Sequence, residues 1–153
     1  MDEVNSPGWQ AIDDALLPHY GETQPVHVAY SPSPPFSTNL QGCSACAAAG
    51  HWHYITYRLS ELYEPQPEDD PAISKWGFEL TFRLRRGNED APPHWPFVIL
   101  NRLANFINEG TMGALAPGSR VNLRSPITGY PNEPGAPDTK LTALAATIDP
   151  ELR

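Results

Sequence analysis

The run "HWHYITYRL", His51 to Leu59, decides the fold, because nearly every residue in it is aromatic or β-branched. Such residues favour a strand, and period two then puts His51, His53, Ile55 and Tyr57 on one face and Trp52, Tyr54, Thr56 and Arg58 on the other. A second run, "FELTFRLRR" from Phe78 to Arg86, alternates more cleanly. It predicts a strand with Phe78, Leu80, Phe82 and Leu84 toward the core and Glu79, Thr81, Arg83 and Arg85 outward.

Working outward, "NSPGWQAIDDALLPHYG" predicts a first helix. Ser6 is placed to cap it, Pro7 fits its first turn, Trp9, Ile12 and Leu16 recur at helical spacing, and Pro18 or Gly21 closes it. "VHVAY", Val26 to Tyr30, predicts a short strand, whereas "SPSPPFSTNLQGCSACAAAG" reads as a long loop punctuated by proline and glycine. "APPHWPFVILNRLANFINEG" carries the strongest helix signal, with Trp95, Ile99, Leu103, Phe106 and Ile107 on one side, Pro96 near the start and Gly110 at the end. Two further strands are expected in "SRVNLRSPI" and "TKLTALAATID". This order predicts an α+β (mixed α/β) domain over residues 1–153, in which two main helices cover a mostly antiparallel or mixed sheet joined by proline-rich loops.

Composition bounds the function. The chain has 153 residues, 18 prolines and 15 aromatics, enough to bury a core without disulfide staples. A formal charge of −8 speaks against a nucleic-acid partner and suits a basic protein. The start "MDEVNSPGW" lacks signal-peptide features, and no apolar run reaches the ~18 residues of a membrane span, so the expectation is a cytoplasmic protein off the membrane.

Three patterns invite a chemical reading. Cys43 and Cys46 form "CSAC", and with His51 and His53 they make a nominal Cys2His2 set, to which Glu79 is the nearest added ligand. The spacing is shorter than that of zinc fingers, and the expectation is that neither a metal nor another cofactor is bound. Ser60 with Glu61 lacks the G-x-S-x-G turn of a hydrolase nucleophile, and no phosphate-binding glycine loop is present, so no catalytic residue is assigned. "EPQPEDDP", Glu64 to Pro71, sets four acidic residues and three prolines beside Tyr63. It reads as a recognition lip, with flat contact area from Tyr63 and charge selection by the acids.

Taken together, "GHWHYITYRLSELYE", "KWGFELTFRLRR", "APPHWPFVILNRLANFI" and "APGSRVNLRSPI" resemble, in order and spacing, the Suppressor of fused family. "GWQAIDDAL" and "LTALAATIDPEL" agree more loosely. The resemblance implies a non-enzymatic module that binds another protein. Animal members grip an extended peptide of a Gli-type transcription factor and repress Hedgehog signalling; stand-alone bacterial modules are thought to be immunity proteins that neutralise toxins. The latter, binding a partner peptide or toxin domain, is the expectation, with a metal-dependent protein or a Hedgehog-like regulator as alternatives. The family's peptide-contacting tyrosine and acidic position fall here on Tyr63 and on Asp69 or Asp70, beside Glu64. Two departures stand out. The "CSAC" segment leaves the family pattern, and the chain stops at "DPELR", before a strand segment that family modules usually carry. The expectation is a shortened module or an exposed sheet edge, open to a partner or to another copy of the chain.

Overall fold

The structure is a computed structural model that describes residues 5–21, 23–30, 40–65, 67–68, 76–110, 115–129 and 132–152. Its elements are α1 (Pro7–Tyr20), β1 (Val26–Ala29), β2 (Gly42–Ala47), β3 (His51–Tyr57), β4 (Thr81–Arg85), α2 (Trp95–Asn108), β5 (Arg120–Asn122) and β6 (Ala143–Ala145). The first four strands form an antiparallel sheet in the order β1-β2-β3-β4, and β5 pairs with β6 in a second, two-stranded sheet. The α+β expectation holds, and the larger sheet is antiparallel throughout.

The two helices pack on opposite faces of that sheet, because alternate residues of β3 point to opposite sides. Trp52 and Tyr54 join Cys43, Ala45, Phe97 and Leu100 in a core with α2. Ile55 joins Cys46 and Leu16 in a core with α1, and Tyr57 stacks on Trp9 at 4.5 Å between ring centroids. A third apolar cluster, Trp95, Ile99, Leu103 and Leu123, seats α2 against the small sheet.

Pro7 stands in the first turn of α1 as expected, but Ser6 makes no side-chain cap. The carbonyl of Leu62 caps it instead, accepting from the amides of Gly8 (3.0 Å) and Trp9 (3.4 Å). Pro18 lies inside the helix, and Gly21, at φ +58°, is the residue that ends it.

The largest correction concerns "CSAC". It is no loop: Gly42–Ala47 is an interior strand, paired on both sides. Small side chains are what this position needs, since a Cβ on Gly42 would lie 2.4 Å from the His27 ring. Trp76 is exposed, with its indole N–H donated to Asn108. The strands expected after α2 are only three residues each.

Trp95 is buried and packs edge-on against Phe82 at 5.5 Å. Trp95→Ala is expected to cost about 3–5 kcal/mol of unfolding free energy, the usual range for a truncated buried aromatic, measured by urea denaturation. An unchanged midpoint would refute the placement of α2.

Candidate functional site: an edge-strand groove

Strand β4 ends the larger sheet, with no strand on its outer side among the described residues. Toward β3, the Leu80 carbonyl accepts from Thr56 N–H and the Arg86 amide donates to Gly50. In an antiparallel ladder the intervening residues Thr81, Arg83 and Arg85 therefore turn their backbone groups outward. Thr81 and Arg83 line a groove of about 890 Å³.

One wall of this groove is apolar side chain from both layers: Ile12 and Leu16 of α1, and Leu80, Phe82, Leu100 and Leu103 on the α2 side. The other wall is Leu144 to Ile148. There Ala146 exchanges backbone hydrogen bonds with Ser119 and Gly118, so Ala145 and Thr147 point their backbone groups away from β5. The arrangement suits one extended chain, able to bond to a strand edge and to bury side chains on both faces.

At one end the groove meets the segment that carries Tyr63. Glu79 builds this junction: one carboxylate oxygen accepts from the amides of Arg58 (2.9 Å) and Ser60 (3.0 Å) and from the Ser60 hydroxyl (2.7 Å). The other accepts from Leu59 N–H (3.2 Å) and the Thr56 hydroxyl (2.7 Å). Five donors on one carboxylate fix a turn in which Arg58 takes φ +99°. Glu79 is thus enclosed instead of standing outward in water as expected, because the chain after β3 folds back over it. Beyond the turn, Tyr63 is half-buried and Glu64 exposed, its side chain accepting from Asn5 at 2.6 Å. Asp69 and Asp70 lie outside the described residues.

The opposite end is polar. Asp149 accepts from Thr81 Oγ1 and Arg83 Nη2, both at 2.9 Å, and Arg83 also reaches Glu151 at 3.2 Å. His53, fully buried, meets the Tyr20 hydroxyl at Nδ1 (2.5 Å) and approaches Asp149 Oδ2 with Nε2 at 3.3 Å, outside hydrogen-bond geometry. Burial, then the Arg83 charge, push the His53 pKa down to about 4 against the pull of Asp149. Burial would raise the Asp149 pKa, but the Glu151 amide, Thr81, Arg83 and His53 together hold it below the ordinary value.

The metal-site residues do not converge. Cys43 and Cys46 are buried on opposite faces of β2, in separate cores, and burial raises their thiol pKa values to about 12 and about 11. No group of three or more potential ligands is assembled among the described residues. Ser60 donates to Glu79, not to a histidine. Of the arginine row, Arg85 alone is exposed; Arg86 lies over the Trp52 ring at 4.7 Å. Sequence reasoning missed Asp149, whose partners are 66 and 68 residues away along the chain. Among the described residues no helix is long and apolar enough to cross a membrane.

Comparison with known proteins bears on the family and the fold. The family model described as Suppressor of fused protein (SUFU) matches residues 37–153. The Suppressor of fused homologs of Homo sapiens and Mus musculus are each 34% identical over 110 residues, covering 67% of this chain and 21% of theirs. The chain therefore spans about a fifth of the length of these curated relatives. A chain in the structure titled "the Sufu-Fu complex crystal structure" aligns with TM-score 0.79 and 25% identity, covering 98% of this chain and 69% of that one.

The buried neutral His53 makes stability pH-dependent with a defined sign. Its folded pKa lies below the unfolded value of 6.5, so the unfolded state binds the extra proton first and stability falls as pH drops from about 6.5 toward 4. Replacing it by a residue that cannot charge, His53→Gln, should flatten the melting temperature across that window in calorimetry. An equally steep profile in the variant would show that other groups carry the dependence.

Proposed function

The chain belongs to the Suppressor of fused family, and on that premise we propose that it is a non-catalytic module that holds an extended segment of a partner protein along the outer edge of β4. The observation that carries this reading is the outward-facing β4 backbone, set in a groove with apolar walls on both faces of the sheet. Membership of a family of non-catalytic regulators supports the absence of catalysis, and the similarity to a chain from a Sufu-Fu complex supports a protein partner. A strand laid beside β4 gains main-chain hydrogen bonds for affinity. Tyr63, Glu64, Asp69 and Asp70, beyond the Glu79 junction, supply side-chain selection, and the net charge of −8 favours a basic partner.

The use we propose for this binding is neutralisation of the partner, such as a cognate toxin domain. Holding a functional segment in a closed groove removes it from its own fold or target.

A pull-down with the tagged chain should recover a protein. Thr81→Pro deletes an outward N–H without touching the ladder to β3, and Tyr63→Ala with Asp70→Ala removes the lip. Each change should weaken capture at least about tenfold, a loss of roughly 1.4 kcal/mol. Recovery of no partner, or one indifferent to both changes, would sink the proposal.

A further inference from the structure

The second wall of the groove changes character along its length. Up to Ala146 it is held by backbone bonds to β5 and its neighbours. From Thr147 to Leu152 the hydrogen bonds that reach it from the sheet are those of the Thr81 and Arg83 side chains, two of them ending on Asp149 and one on Glu151. Asp149 also takes the amides of Glu151 (2.9 Å) and Leu152 (3.3 Å), turning the segment back on itself. Leu152 packs beside Leu16 and Ile55, while Ile148 is 61% exposed and gains little from where it stands.

This segment runs from β6, along the groove, to the α1 face of β4. It thereby lies against the side chains of Thr81 and Arg83, two of the three residues whose outward backbone groups an incoming strand would bond. Arg83 is occupied by it as well, and still leaves its Nε buried without a partner. We propose that Thr147–Leu152 is a releasable strap across the groove, that Asp149 is its pin, and that a strand enters beside β4 only when the strap lifts. The proposal rests on the binding role assigned to the groove, and it adds an autoinhibitory contact to it.

The test uses the chain alone. In hydrogen exchange read by mass spectrometry, Asp149→Asn should speed exchange over residues 147–152 about tenfold or more, with β2 and β3 unchanged. The apolar dye anilinonaphthalene sulfonate should then bind with severalfold greater emission as the groove opens. Arg83→Gln, which removes the partner instead of the pin, should give the same pair of changes and stands in if Asp149→Asn does not fold. Unchanged exchange at 147–152, acceleration shared by β2 and β3, or faster strap exchange without dye uptake would each overturn the strap. None of these readouts needs a partner, so the strap fails here while the binding role fails in the pull-down.

Discussion

Strand β3 has water on neither face. Successive side chains of a strand must point to opposite sides, so a strand buried twice needs two complete sets of packing partners. Trp52 and Tyr54 find theirs in α2, and the Tyr54 hydroxyl donates to the Pro93 carbonyl just before that helix at 2.7 Å. His53, Ile55 and Tyr57 find theirs in α1, through Tyr20, Leu16 and Trp9. The placement of both helices follows from this one strand. So does the thinness of β2, whose glycine, serine, cysteines and alanines leave room for the large rings of the next strand.

The same constraint explains which parts of the molecule were legible. A strand such as β4, with apolar and polar residues in strict alternation, and a helix such as α2, with a broad apolar face, announce themselves through a local period. β2 does not, because "GCSACA" has no β-branched or aromatic residue and its cysteines suggest chemistry before structure. Its strand character comes from β1 and β3 on either side, which is tertiary context. Glu79 was misread for a related reason: alternation says which side of the sheet a residue takes, and that side here is covered by the chain returning at Arg58. Tyr63 was singled out by its place beside the acidic loop and by the family resemblance. Its mechanical tie to the groove, through Leu62 on the end of α1 and Glu79 on the turn, depends on contacts between distant residues.

Two carboxylates bound the groove, and both are spent internally. Glu79 is saturated by five donors, and Asp149 by Thr81, Arg83 and the two amides of its own turn. A carboxylate in that condition is a structural anion whose hydrogen bonds organise backbone, and it offers little to a ligand. The division of labour then follows from charge placement. In the proposed role the groove would provide shape and main-chain bonding with its charges satisfied, and the surplus of acids on the surface, as at Glu64 and Glu68, would steer an approaching partner.

An unpaired strand edge is a hazard, since it pairs with any chain that presents one. Proteins blunt such edges with charge and with cover, and both devices are present at β4. Arg83 and Arg85 stand on the edge strand, and residues 144–148 wall the groove so that a flat sheet edge from another molecule has no approach. The proposed occupant, a single extended chain, would have one, and its insertion would be self-limiting. With β4 on one side and Ala145 on the other, an inserted strand would have partners for both of its own edges and leave none for a third chain. In the proposed binding role, a groove of this kind would favour one-to-one capture over open-ended assembly.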